Sequence, residues 1–383
     1  MAERIKKILV VIILIFLFVP KLQKIFPVIA ETSLKGVFKT APNVDFSTVK
    51  WMDGSYQEAK NNYLNDNFIF RPNLIKLNCQ IDYSLFYKLN TGWCVLGKNN
   101  CLLTRDYIDA WTGADFVGYR TICERMIKLK ALQDTFSKLG KSLVLVHAAS
   151  KAFYYSDCLP DDMIPAEKRP TNFATYMHVG DSLGVNQLDL NSWFCALKKT
   201  SRELLYPKQG LHWSMYGGLL AADTLAGYIE NLRKIKIPHP RWKDITHSQH
   251  ALLADDDLAA MLNLTWPFTT ETFTYGKMVC DDDNTRTRLS AIYIGDSFTW
   301  SLVDDNVFDC MNSNWEFWYY FRQRYNRGGS PRNAMSMENY DWQGAIDKAD
   351  CIVLLYSAAI LDVLGSGFIE NEYSHYYPEK QRL

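Results

Sequence analysis

Apolar and polar positions along the chain follow two rhythms. Short, nearly unbroken apolar runs stand at residues 142–148, 185–190, 289–294 and 351–356, the pattern of strands buried on both faces of a parallel sheet. Between them, apolar residues recur at helical spacing. The clearest case is 114–139, where Tyr119, Ile122, Cys123, Met126, Ile127, Leu129, Leu132 and Phe136 form one stripe and Gly140 ends it. Further helices are predicted at 171–183, 192–201 and 214–235, with Leu219, Leu220, Ala222, Leu225, Ile229 and Leu232 turned inward, and at 342–349. Strand following helix is the βαβ rhythm, which predicts a doubly wound, mostly parallel sheet between helical layers. Ahead of it, 57–65 reads as a first helix, 68–87 mixes apolar and basic residues at helical spacing, and 92–103 reads as a hairpin around Lys98-Asn99-Asn100. Residues 238–288 are the least regular, and Gly328-Gly329-Ser330-Pro331 is a loop. No repeat or low-complexity tract interrupts the pattern.

The amino terminus has a different character. Arg4, Lys6 and Lys7 precede an apolar run from Ile8 to Val19, closed by Pro20. As a helix that run spans about 18 Å, short of the roughly 30 Å hydrocarbon core. Such a length fits the apolar region of a signal peptide, yet no small-residue cleavage site follows closely. Lysines at both ends, including Lys21 and Lys24, favour an uncleaved anchor over 5–26 that snorkels its charges. The expected organisation is a signal anchor or signal peptide at 1–30, a polar stalk at 31–56 and one domain at 57–383 outside the cytoplasm, either periplasmic or otherwise extracytoplasmic. Positive charge on both flanks leaves that orientation to the usual cytoplasmic placement of the amino terminus.

Composition narrows the partners. Formal net charge is zero, so no basic field gathers nucleic acid, and neither a P-loop nor a dinucleotide fingerprint occurs. Aromatic content of 14%, with 11 Trp and 22 Tyr, suits stacking on sugar rings as well as an ordinary aromatic core. The nine cysteines lack zinc-ligand spacing, and their odd number leaves one unpaired within a monomer. The acidic runs Asp255-Asp256-Asp257 and Asp281-Asp282-Asp283 are not spaced as a calcium loop, and read as solvated faces. No metal or cofactor is expected.

Two stretches carry candidate chemistry. In Gly295-Asp296-Ser297-Phe298, the chain turns at the carboxyl end of a buried strand, where open α/β sheets place ligands. A serine there presents its hydroxyl to a cleft while backbone N–H groups of the turn offer an oxyanion hole. The structural alternative is a strand-to-helix turn with Ser297 as the helix cap. In Gly210-Leu211-His212-Trp213-Ser214, a histidine just ahead of a helix supplies the base that a serine nucleophile needs. Trp213 either walls the cleft or staples the helix to the core. Ser150 and Lys151 follow the 142–148 strand on the same sheet edge, where Lys151 holds an anionic substrate, orients a loop, or is a solvated loop residue. Tyr319, Tyr320 and Arg322 either face the cleft or belong to a structural strand.

These residues resemble the SGNH-hydrolase-like polysaccharide O-acetyltransferases, the AlgX/AlgJ-like group. The resemblance is carried by Gly-Asp-Ser-Phe, by His212-Trp213-Ser214, by Asn65-Asp66-Asn67-Phe68 with Phe70-Arg71, by the strand ending in Ala148-Ala149-Ser150-Lys151, and by Leu188-Asp189-Leu190. It extends loosely over 57–370. What it implies is a three-layer α/β/α domain that acetylates an exported polysaccharide, with Ser297 as nucleophile, His212 as base, and Gly295, Asp296 and Trp213 supporting them. Ser150, Lys151, Tyr319 and Arg322 would touch substrate, and a membrane-bound O-acyltransferase partner would supply the acetyl group. One departure stands out: the family's Asp-x-His-Trp has Gly210 in the aspartate position. Three outcomes follow: a dyad with His212 held by a carbonyl, another acid such as Asp189, or a weak or non-catalytic glycan-binding scaffold. Hydrolysis of acetyl esters is the alternative chemistry for the same pair.

Overall fold

The computed structural model describes residues 2–30, 32–36, 39–252, 254–266, 271–282, 285–327 and 333–378. The loop expected at 328–331 and the acidic residue Asp283 lie outside them. The chain divides into two compact units, Met1–Gly92 with Ala259–Phe268, and Trp93–Leu258 with Thr269–Leu383.

In the first unit, Ala2–Ile25 is one helix whose apolar side chains at Ile8, Leu9, Val10 and Leu14 are exposed. Among the described residues no helix is long and apolar enough to cross a membrane; the side chains of Ile12, Ile13 and Phe16, inside the apolar run, lie outside that description. The helices expected after the stalk occur at Ser55–Asp66 and Arg71–Phe86.

The second unit holds β1 (Cys94–Leu96), β2 (Leu102–Thr104), β3 (Ser142–His147), β4 (Gln187–Asp189), β5 (His239–Ser248), β6 (Phe273–Asp281), β7 (Leu289–Gly295), β8 (Asn312–Tyr319), β9 (Gln323–Asn326), β10 (Met335–Ser336) and β11 (Cys351–Tyr356). The central sheet has the order β10-β9-β8-β7-β11-β3-β4. From β8 to β4 all neighbours are parallel; β9 and β10 add an antiparallel edge. The sheet is therefore mixed, with the expected parallel centre.

Side-chain alternation loads both faces. Val144, Val146, Tyr293, Val353 and Leu355 pack on one side with Ala222, Leu225 and Ile229 of the helix Met215–Arg233. Leu143, Leu145, Ile292, Ile294, Ile352 and Leu354 pack on the other with Ile122, Met126, Leu129 and Phe136 of the helix Tyr119–Lys138. This is the three-layer α/β/α arrangement. The predicted helices fall within a few residues of those formed, and the hairpin over 92–103 is β1–β2.

The irregular region 238–288 was misread. It contains the antiparallel β5–β6 pair. Most of β5 is exposed, so neither face needed an apolar alternation that the sequence would display. Cys280 at the end of β6 is joined to Cys310 by a disulfide, with Cα atoms 5.5 Å apart.

At the rim of the parallel sheet, Gly295 lies beside Leu355 of β11. A Cβ at 295 would stand 2.4 Å from the Leu355 carbonyl oxygen and 2.6 Å from Thr299 Oγ1. Gly295→Ala should therefore destabilise the fold by about 1–3 kcal/mol through overpacking, read as a lower denaturant midpoint; an unchanged midpoint would show that the contact is not tight.

Candidate active site

Three loops at the carboxyl ends of the parallel strands are stitched together before any reactive group is placed. Asp296, buried just after β7, accepts hydrogen bonds from the N–H of Phe298 at 3.0 Å and of Ser357 at 2.7 Å. Ser150, after β3, accepts from Ala358 N–H at 2.7 Å, and its own N–H donates to Asn191 at 2.9 Å. Burial raises the Asp296 carboxyl, against the pull of these backbone donors. Asp296 and Ser150 therefore hold the rim in register, and Ser150 is fully buried.

Ser297 opens the short turn Ser297–Thr299 and is half-buried. Its Oγ lies 2.8 Å from His212 Nε2, although the two residues are 85 positions apart. The other ring nitrogen, Nδ1, lies 2.8 Å from Asp257 Oδ2. The second oxygen of that carboxylate accepts the Leu211 N–H at 2.6 Å. Burial alone would raise the Asp257 carboxyl; the hydrogen bond and charge of His212 outweigh it and hold its pKa below the ordinary carboxylate value. An ionised carboxylate only accepts, so Nδ1 carries the imidazole hydrogen and Nε2 is left to accept from the serine hydroxyl.

Asp257 was not among the expected site residues, and the acidic run containing it was read as a solvated face. It is instead the third member of the array. Asp189, the substitute considered from sequence, caps the helix Leu190–Leu197 by accepting from Ser192 N–H at 2.8 Å. Gly210 explains the exchange. A Cβ there would stand 2.7 Å from the Asp255 carbonyl oxygen and 3.1 Å from that of Ala254. The segment delivering Asp257 thus packs against the position that the motif resembled in sequence gives to its aspartate. One sequence signal existed: a missing acid beside an unexplained acidic run.

Lys151 is not solvated; of the readings open from sequence, it orients a loop. It is fully buried, and its ammonium donates to the carbonyls of Pro207 and Lys208, each at 2.9 Å, and to that of Gly210. All three of its hydrogens are spent on the loop leading to His212. Burial lowers its pKa, opposed by Cys101, Asp257 and Glu271.

Trp213 fulfils both readings. It is buried, donates its indole N–H to Ser301 Oγ at 2.6 Å, and meets Phe298 edge-on at 5.1 Å. It also borders a cavity of about 340 Å³ shared with His212, Ser297, Met215, Trp300, Asp304 and Tyr325. The sequence pointed to Tyr319 and Arg322 for this wall, and neither lines it. Tyr319 packs against the Trp300 ring at 5.9 Å, and Arg322 is exposed in the turn between β8 and β9. Trp300 and Tyr325, which do line it, had carried no distinguishing pattern.

The oxyanion expectation also narrows. Phe298 N–H is taken by the Asp296 side chain, and Thr299 N–H by the Asp296 carbonyl at 3.2 Å. Of the first three amides of the turn, that of Ser297 itself is the candidate. Among the described residues no group of side chains could hold a metal ion.

The sequence model described as SGNH hydrolase-like domain, acetyltransferase AlgX, matches residues 95–289, just over half of the chain. The match takes in His212 and Asp257 and ends before Ser297. No curated protein matches. Among solved structures, the O-acetyltransferase domain of Pseudomonas putida AlgJ is 14% identical, covering 74% of this chain and 99% of its own, with a TM-score of 0.47. Bacillus cereus PatB1 with a sulfonyl adduct is 13% identical, covering 70% and 97%, with a TM-score of 0.45. Pseudomonas aeruginosa AlgX is 13% identical, covering 76% and 71%, with a TM-score of 0.42.

Beside the array, Asp255 accepts from Met215 N–H at 3.1 Å and from the Tyr275 hydroxyl at 2.8 Å. Burial pushes its carboxyl up to about 7. Its unfolded value is near 3.9, so its contribution to stability is complete below that value and is lost as pH rises towards 7. Asp255→Asn should flatten the fall in melting temperature between about pH 4 and pH 7; parallel curves for the two proteins would contradict this assignment.

Proposed function

The chain belongs to the AlgX family of SGNH hydrolase-like acetyltransferases, and from that premise we propose that it moves an acetyl group onto a hydroxyl of an exported polysaccharide through an acyl-enzyme on Ser297. The observation that carries this reading is the His212 ring set between Ser297 and Asp257, 2.8 Å from each, at the edge of a cavity.

The chemistry follows from those positions. Ser297 Oγ attacks the carbonyl carbon of the acetyl donor as its proton passes to His212 Nε2. Asp257 holds the ring orientation and stabilises the imidazolium. The Ser297 N–H faces the developing oxyanion. The tetrahedral intermediate collapses, the donor's leaving group departs with the proton from Nε2, and an acetyl ester remains on Ser297. A sugar hydroxyl then loses its proton to Nε2 and attacks that ester. The acetyl group moves to the sugar, and Ser297 regains its hydrogen. Water in place of the sugar would give acetate, so exclusion of water decides between transferase and esterase. The scaffold reading rested on a missing acid, and Asp257 stands in its place.

The exported setting belongs to the same proposal. It is supported by the basic residues ahead of the Ile8–Val19 run and by the exposed apolar side chains of the helix Ala2–Ile25. An anchored enzyme would receive acetyl groups from a membrane-bound O-acyltransferase partner.

A fluorophosphonate should label the protein covalently, and Ser297→Ala should abolish the labelling. Asp257→Asn should keep the fold and slow acetyl-ester turnover by on the order of 10³–10⁴-fold, as loss of the orienting acid does in serine proteases. Labelling that survives Ser297→Ala, or an Asp257→Asn variant with ordinary rates, would overturn the proposal.

A further inference from the structure

The loop Tyr206–Leu211 that leads to His212 meets a second carboxylate, which the triad does not use. Glu271, just ahead of β6, accepts the Lys208 N–H with both oxygens, at 2.9 and 3.1 Å, and the Gln209 N–H as well. Further along the loop, the Leu211 N–H goes to Asp257 at 2.6 Å. The loop is thus held through its amides by two carboxylates, one near each end. Its carbonyls at Pro207, Lys208 and Gly210 go to the Lys151 ammonium. The Lys208 carbonyl also accepts the Leu102 N–H at 3.0 Å. Tyrosines take the outer carbonyls: the Tyr155 hydroxyl donates to Tyr206 at 2.5 Å, and the Tyr206 hydroxyl to Leu211 at 2.6 Å.

Charge links these groups. Burial raises the Glu271 carboxyl above its ordinary value, opposed by the two amide donors and by Lys151. The same ammonium lowers Asp257, so one buried cation serves two anions through the loop between them. Hydrogen bonds to ionised groups are stronger than neutral ones.

Each anchor does a different job. Asp257 pins the loop at Leu211, and a segment pinned at one point can still pivot. A pivot would swing His212 Nε2 out of its 2.8 Å contact with Ser297. Lys151 attracts carbonyls, but its three donors rotate on a flexible stem and fix no direction. Glu271 supplies the second fixed point. Among the described residues that line the cavity Glu271 does not appear, so it acts through the loop and not on the substrate.

We infer that Glu271 is a positioning residue for His212: by accepting the Lys208 and Gln209 amides it holds the loop in the orientation that presents Nε2 to Ser297. This rests on the acyl-transfer reading above.

The test gives the full chain p-nitrophenyl acetate and follows acetylation of the Ser297 peptide by mass spectrometry, well below the melting temperature of each variant. Glu271→Leu, which removes the acceptor, should slow acetylation by about tenfold or more, as a small misplacement of a reacting group does. Glu271→Gln keeps one acceptor oxygen and should return the rate to within about threefold of wild type. The Nδ1 hydrogen of His212 should exchange with water about fivefold faster or more in Glu271→Leu, a local loosening that a lower melting temperature alone would not produce. Wild-type acetylation and exchange in Glu271→Leu, or a Glu271→Gln variant as slow as Glu271→Leu, would overturn the inference. Should Glu271→Leu fail to fold, Glu271→Asp takes its place, with a carboxylate one methylene short of the Lys208 amide; a wild-type rate there would overturn the inference equally. In each of these cases an acetylated wild-type Ser297 leaves the acyl-enzyme standing. Absence of acetyl on Ser297 in the wild type would instead remove the acyl-enzyme reading, and this inference with it.

Discussion

The site depends on one carboxylate that grips two consecutive residues. Asp257 accepts the Leu211 N–H with one oxygen and faces His212 Nδ1 with the other. Backbone and ring are thereby fixed by the same group, which leaves the imidazole little freedom to turn from Ser297. Remove that carboxylate, and Nδ1 loses the acceptor that assigns the hydrogen to it. Every chemical step proposed for Ser297 assumes that Nε2 is bare in the resting state.

The acid arrives by an unusual route, and the surrounding packing shows why it can. Its segment runs over Gly210, where the absence of a side chain lets the carbonyls of Ala254 and Asp255 approach within contact distance of the backbone. Beneath the same loop, Lys151 gathers three carbonyls on one ammonium. A buried cation is costly without such donation; here it draws the loop together and lends a positive field to Asp257. On the other side, Asp296 and Ser150 tie the nucleophile turn to β11 and β3. Histidine, acid and serine are thus each positioned by buried polar groups.

Much of this was legible in the sequence, for physical reasons. Strands buried on both faces, such as β3, β7 and β11, must be apolar at every position, so they announce themselves. Ser297 and His212 stood out because a strand end and a helix start are places where side chains are presented. Asp257 did not, because an aspartate in an acidic run looks the same whether solvated or pointed at a histidine; only the fold tells them apart. From their place at the sheet edge Lys151 and Ser150 were possible substrate contacts, with a loop-orienting or solvated role also open to Lys151, but a short step inward from that edge is the core. The β5–β6 pair escaped notice because most of β5 is exposed and shows no apolar alternation. Tyr319 and Trp300 lie in one aromatic cluster, and periodicity alone could not say which of the two borders the cavity.

The central claim is that Asp257 holds the Nδ1 hydrogen of His212. Proton NMR of the histidine-¹⁵N-labelled protein addresses it directly, since an imidazole N–H bonded to a carboxylate is shielded from exchange and resonates far downfield. The account predicts a resonance coupled to His212 Nδ1, present in the wild type and lost in both His212→Gln and Asp257→Ala, whereas one from His239 Nδ1, which lies beside Asp223, should survive both substitutions. Persistence of the His212 resonance without Asp257, or a His212 whose hydrogen resides on Nε2, would contradict it.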